Sequence, residues 1–223
     1  MSLRAGGPVF GLALLLAGVC RAETPAQAVA RDLPGWTIHQ QAQGPLAGGK
    51  DFAAVLTKPD PVSEKLQALL VVYSADGPGR WRLRVKAPKA ICVGCGGAKA
   101  PMDEPLGRLA IDQRGVLSVT YEGGSREEFS DELKWRLDRR SGRFVLIGET
   151  YSSVDTVGQD PEDAVDVNFT TLKMERRLGK RRRACLVPAA FQRSELSAFD
   201  FFDKHFDDLD KLKRACPLPD GRS

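Results

Sequence analysis

Histidine is nearly missing from this chain, which has two in 223 residues, His39 and His205. Such scarcity removes most routes to histidine-based catalysis, and the sequence contains no Gly-x-Ser-x-Gly, HExxH or phosphate-loop pattern. His39 falls in an expected strand. His205 is expected to be an exposed polar residue beside an apolar stripe, between Asp203 and Asp207, whose carboxylates would favour its charged form. Beyond the first twenty-odd residues no apolar run reaches membrane-spanning length. No internal repeat of about 20 to 50 residues is present, which argues against a propeller. Charge of one sign is lacking too. With residues 1–22 set aside, Arg4 and Arg21 go and no acid does, so the 33 bases fall to 31 against 29 acids. That balance gives no global reason for a polyanion to bind, and nucleic acid is not an expected partner.

What is present begins with a targeting segment. Arg4 and the apolar run over 9–19 (VFGLALLLAGV) have the make-up of a secretory signal and are too short to span a bilayer. Cleavage after Ala22 fits, with small residues at Cys20 and Ala22, so residues 1–22 read as the signal peptide of a periplasmic or secreted protein. Lipid anchoring through Cys20 fits less well, because Val19 and Ala17 stand where a small and a Leu-like residue are wanted. Four cysteines then remain, Cys92, Cys95, Cys185 and Cys216, and an even number in an exported chain reads as two disulfides. Three pairings are open. Cys92 with Cys95 and Cys185 with Cys216 are favoured, because each couple lies in one region of the chain. The second bridge would close a loop of about 30 residues and contribute ~3–4 kcal/mol. A chain of this length buries about 70% of its unfolded surface, enough for one core without a metal or cofactor.

The clearest periodicity lies over 115–149. Leu117, Val119 and Tyr121 alternate with Ser118 and Thr120; Leu133, Trp135 and Leu137 alternate with Lys134 and Arg136; Phe144 and Leu146 follow a turn at Ser141-Gly142. Such alternation predicts strands with one wet and one buried face, and the turns between them predict an antiparallel meander. Residues 66–73 (LQALLVVY) read as a strand buried on both faces, and 80–86 (RWRLRVK) as one with Trp81, Leu83 and Val85 inward and its cations outward. Further strands are expected near 36–38, 51–56, 109–112 and 165–171, with a short helix over 25–33 stopped by Pro34-Gly35.

Between two of these strands, Gly44-Pro45-Leu46-Ala47-Gly48-Gly49-Lys50-Asp51 leads into Phe52-Ala53-Ala54-Val55-Leu56. This unit resembles the loop and strand of secreted β proteins of the FG-GAP or VCBS type, in which a Gly- and Asp-rich loop before a strand binds calcium. The resemblance spans Gly44 to Leu56 and implies a β fold. Pro45 and Ala47 occupy ligand positions and only Asp51 survives nearby. Calcium takes six to eight oxygens, so the loop is expected to keep its shape without a cation.

Two stretches could carry function. In Cys92-Val93-Gly94-Cys95 a redox role would want a helix N-terminus to lower the thiol pKa, whereas Gly96-Gly97-Ala98-Lys99-Ala100-Pro101 opens no convincing helix. The pair therefore reads as a local disulfide, with thiol exchange as the alternative. Zinc on the four cysteines lacks paired spacing. The basic run over 173–183 (KMERRLGKRRR), with Lys180, Arg181, Arg182 and Arg183 at its end, could grip an acidic protein or an anionic envelope component. It could equally pair with the acids of the C-terminal helix. That helix is predicted from about Glu195 to Arg214, capped by Ser194, with an inward stripe of Leu196, Phe199, Phe202, Phe206, Leu209 and Leu212. The acid groups Asp103 and Glu104, Glu127 and Glu128, and Asp160, Glu162 and Asp163 read as solvated charge at turns or strand edges.

The expected fold is mainly β: an antiparallel sandwich or curved meander over 23–190, with a short N-terminal helix and a longer C-terminal helix and tail over 191–223 packed on it. The expected function is a non-catalytic periplasmic binding or interaction protein that needs no metal and no catalytic residue. The alternatives are a thiol-disulfide oxidoreductase using Cys92 and Cys95, and a periplasmic inhibitor or immunity protein.

Overall fold

Period-2 alternation becomes a series of antiparallel meanders in the computed structural model, which describes residues 22–63, 65–99, 104–158, 161–189, 191 and 193–219. The expected signal peptide, Ala22 apart, and the acids Asp103 and Asp160 lie outside those residues. Thr24 caps helix α1 (Pro25–Asp32) by accepting the Gln27 amide, and the Gln27 side chain returns a bond to the Thr24 amide. Four strands follow, β1 (Thr37–Gly44), β2 (Asp51–Pro59), β3 (Leu66–Ala75) and β4 (Trp81–Ala87), paired in sequence order. A two-stranded ribbon, β5 (Cys92–Val93) and β6 (Pro105–Leu106), leads to the second meander. Its seven strands also pair in sequence order: β7 (Arg108–Ile111), β8 (Val116–Gly124), β9 (Glu127–Asp138), β10 (Arg143–Asp155), β11 (Asp163–Asn168), β12 (Lys173–Leu178) and β13 (Arg181–Leu186). A π turn (Phe201–His205) and helix α2 (Phe206–Ala215) close the fold.

The four-stranded sheet is apolar on both sides. Ala53, Val55, Leu70 and Val72 join Leu117, Leu133, Trp135 and the C-terminal helix in one core. Phe52, Leu56, Val71 and Tyr73 face the other way, onto Ala28, Val29 and Leu33 of α1. Phe52 stacks on Tyr73 at 4.7 Å and meets Trp81 edge-on at 4.9 Å. The expectation for 66–73 thus holds. Where β1 ends beside β7, only glycine fits: a Cβ on Gly44 would lie 2.4 Å from a methyl of Ile111. In the loop that follows, buried Asp51 accepts the amides of Ala47 at 2.5 Å and Ala75 at 3.3 Å. Its carboxylate closes the loop on itself.

Two expectations are corrected. Residues 194–200 are not helical from Ser194. The Ser194 carbonyl accepts the Leu146 amide at 3.0 Å, and Glu195 bridges Val145, so this segment is held to the edge of β10 with a single 3-10 turn (Leu196–Ala198). The helical turns start at Asp200, whose carboxylate accepts the amides of Phe202 and Asp203. Its first turn is π-type, closed by the His205 amide on the Asp200 carbonyl at 3.1 Å. Starting later and winding wider, the helix presents a different stripe. Phe201, His205, Leu209 and Leu212 are buried, and Phe202 is 63% exposed. The second concerns β4: Trp81, Leu83 and Val85 all pack against buried residues, but a bulge opposite Val72 and Tyr73 sets Trp81 and Leu83 on the α1 side and Val85 in the main core, not on one face. Residues 173–183 lie in the β12–β13 hairpin.

Candidate functional site

The site that the fold assembles lies on the inner face of the seven-stranded sheet, beneath the C-terminal helix. On β9, Asp131, Leu133 and Trp135 are all inward and buried. On β10, Phe144 and Leu146 are inward, and strict alternation would next bury residues 148 and 150. A bulge between Leu146 and Gly148 breaks that phase, so Glu149, Tyr151 and Ser153 turn inward instead. Glu149 then sits across from Leu133, and Tyr151 across from Asp131. The π turn delivers the third member from above. His205 Nε2 lies 2.5 Å from Asp131 Oδ2 and 3.9 Å from Glu149 Oε1, and the three side chains are 4%, 0% and 3% exposed in the order His205, Asp131, Glu149.

The surroundings are apolar. Phe199, Phe201 and Phe206 ring His205 at 5.5, 5.6 and 5.4 Å between centroids, and the Tyr121 hydroxyl, stacked beneath Phe201, is taken up by the Ala90 carbonyl. In this dry box Asp131 Oδ1 and Glu149 Oε1 have no hydrogen-bond partner. Burial pushes the Glu149 carboxyl well above its ordinary value and the charge of Asp131 adds to this, with His205 opposing. For His205, burial works against the charged ring, but the bond to Asp131 and the charges of Asp131, Glu149 and Asp208 outweigh it and raise its pKa. One imidazole thus faces two carboxylates, a nitrogen and two oxygens all within 4.8 Å of one another. That set can trade protons or hold a cation.

A half-buried acid on the same sheet has a different fate. Asp163, read from sequence as solvated, is inward on β11 and is met by Lys213 Nζ at 2.9 Å and Arg176 Nε at 3.5 Å. Arg176 also donates to the Lys213 carbonyl at 3.0 Å, and Lys213 lies over the Tyr151 ring at 4.4 Å. Cations on both sides compensate this acid.

The candidates from sequence are dispersed. Cys92 pairs with Cys95 and Cys185 with Cys216, with Cα separations of 5.9 and 5.8 Å, and the second bridge ties the end of α2 to β13. Two disulfides fit an oxidising compartment. Cys92 and Cys95 flank the end of β5, and only a three-residue 3-10 turn (Gly97–Lys99) follows them. In the basic hairpin, Arg183 donates to the Pro217 carbonyl at 2.8 Å and Arg181 to the Pro219 carbonyl at 3.4 Å. The run therefore grips the backbone after α2, a region of negative dipole, rather than the acids of the helix. Of those acids, Glu195 meets Arg143 at 3.0 Å, Asp200 meets Lys89 at 2.6 Å, and Asp208 meets Lys204 and Lys211. Lys180 and Arg182 are exposed. The structure does not bring these residues together with the Cys92–Cys95 pair or with the buried cluster.

The outward face of the same sheet is mostly polar, with Val116, Val145 and the exposed Val154 among its residues. One row across it reads Thr120, Glu132, Thr150, Asp166, Glu175; the next reads Ser118, Lys134, Gly148, Asn168, Lys173. A hollow of about 480 Å³ opens over Gly148, lined by Ser118, Lys134, Thr150, Asp166 and Asn168. Two more hollows continue along β9 to β12 past Ser130, Ser152 and Arg177. Among the described residues no helix is long and apolar enough to cross a membrane.

No protein-family model matches the chain, and no match is found among curated proteins or solved structures. Asp131, Glu149 and the inward His205 are absent from the sequence-derived candidates. The signals that would have found them are the phase break at Ile147-Gly148 and the spacing of Phe201, His205, Leu209, Leu212 and Cys216 by threes and fours.

Proposed function

We propose that the protein is an exported, non-catalytic binding module of the periplasm that takes a hydrophilic ligand along the outward face of the seven-stranded sheet. The observation that carries the reading is the largely polar trough on that face, floored at Gly148 by bare backbone and walled by hydroxyls, carboxylates, Lys134 and Arg136, with Val116 and Ile147 between them. Hydroxyl and charged groups in a row offer directed hydrogen bonds to a polar partner, while the interior behind them is packed and closed. Export is supported by the apolar run over 9–19 and by the two disulfides, a combination expected of an oxidising compartment.

The test fills the trough without touching the core. Gly148 lies outside the positive-φ region, and a Cβ there would stand 3.4 Å from the Val167 carbonyl, an ordinary contact. Gly148→Leu should therefore fold normally yet occupy the hollow. Species that co-purify with the mature chain from its cell envelope are recovered and rebound to isolated protein by titration. The reading expects saturable rebinding that weakens about tenfold or more in Gly148→Leu at unchanged thermal stability. Rebinding that ignores this substitution and follows Arg181→Glu/Arg183→Glu instead would move the partner to the basic hairpin and end the proposal.

A further inference from the structure

Glu149 also borders that trough, but its side chain turns to the opposite face of the sheet, where it joins Asp131 and His205 under the C-terminal helix in a cluster hard to explain as packing. Two carboxylates and one imidazole come from three separate elements into a water-excluded space. If His205 is charged, it balances Asp131 and leaves Glu149 either to hold its proton or to meet a further positive charge. Burying an uncompensated carboxylate is among the costliest things a fold can do, and buried pairs are seldom more stabilising than apolar residues of the same size. Asp163 shows the ordinary remedy on the same sheet, a Lys and an Arg on either side. Among the described residues no Lys or Arg comes so close to Asp131 or Glu149, and neither Asp131 Oδ1 nor Glu149 Oε1 has a hydrogen bond, the latter having only His205 Nε2 at 3.9 Å.

We propose that Asp131, Glu149 and His205 bind one divalent first-row transition cation, with Zn2+ as the reference case. A dication neutralises both carboxylates at once and gives each orphaned oxygen a bond, while neutral imidazole supplies the nitrogen. The donor set selects the class. Calcium wants six to eight oxygens and finds two side chains; a mixed imidazole and carboxylate set suits Zn2+, Mn2+, Fe2+ or Co2+. Three protein donors leave a coordination position for water or a further ligand. The two backbone irregularities serve this one place, since the β10 bulge turns Glu149 inward and the π turn sets His205 above it. Because the box is closed by Phe199, Phe201 and Phe206, loading accompanies folding rather than diffusion into the finished core.

The experiment unfolds the mature chain with its disulfides intact, refolds it in Co2+ alone or in chelator, removes excess metal, and measures metal per chain together with the visible absorption. The expected result is one equivalent with ligand-field bands, which are lost when Zn2+ is present in excess during refolding. Glu149→Gln and His205→Asn should each weaken retention about tenfold or more, while His39→Ala, on an exposed strand position, should not. If His205→Asn fails to fold, Glu149→Gln, close to isosteric, decides alone. No stoichiometric Co2+ on folded wild-type protein, or an equivalent that survives Glu149→Gln unchanged, overturns the proposal.

Discussion

The two meanders solve the same problem in opposite ways. The four-stranded sheet is filled on both faces by Ala, Val, Leu, Phe and Tyr, and of its buried polar side chains only Asp51 is an ionisable acid, turned to capping a loop. The seven-stranded sheet leaves one face wet and, on the face it buries, carries Asp131, Glu149 and Asp163 among its apolar residues. Since the smaller sheet manages without internal charge, internal charge in the larger one is not a requirement of this architecture. Three of the chain's departures from regular geometry, the β10 bulge, the π turn and the late helix start, all occur where those charges sit.

The largest effect should come from the apolar side of that comparison. Phe52→Ala removes a ring that is fully buried between Tyr73 and Trp81 and should cost ~3–5 kcal/mol in urea unfolding. A loss below about 1 kcal/mol would show that packing against α1 does not hold the small sheet. A smaller effect of opposite sign is expected in the large sheet. Glu149 and His205 both keep their protons to higher pH in the folded state than in the unfolded chain. Their contribution is therefore fully present below pH 4.5 for Glu149 and 6.5 for His205, and is lost as pH rises through the raised folded values. The groups that face them, Asp131, Asp208 and Lys213, stay within this balance. In chelator, stability should fall as pH is raised from about 5 to 9. Glu149→Gln should flatten the curve and raise stability at pH 8 on the order of 1 kcal/mol, or about 2–4 °C in Tm. Wild-type stability that is flat or rises over this range would contradict the burial described for Glu149.

Much of the frame was legible from residue pattern alone. The 117–121, 133–137 and 144–146 alternations, the two-sided burial of 66–73 and the cysteine pairing all follow from period 2 and proximity in the chain. The buried cluster was not, because each of its members depends on a local irregularity that periodicity averages away. An unbroken β10 would point Glu149 outward, and a regular helix from Ser194 would bury Phe202 and place His205 at its flank. The basic run hid a hairpin because its charges mask the alternation of Met174 inward with Glu175 outward. Its arginines then found backbone carbonyls at the end of α2, partners that no sequence pattern marks.

X-ray absorption at the zinc K-edge of the Zn2+-refolded chain bears most directly on the central claim, that the inner face of the large sheet is built around a cation. The account predicts a nitrogen and oxygen shell at about 2.0–2.2 Å with the outer scattering of one imidazole and no sulfur. A sulfur shell at about 2.3 Å, or an oxygen shell with no imidazole, would place the metal on the cysteines or on surface acids and contradict it.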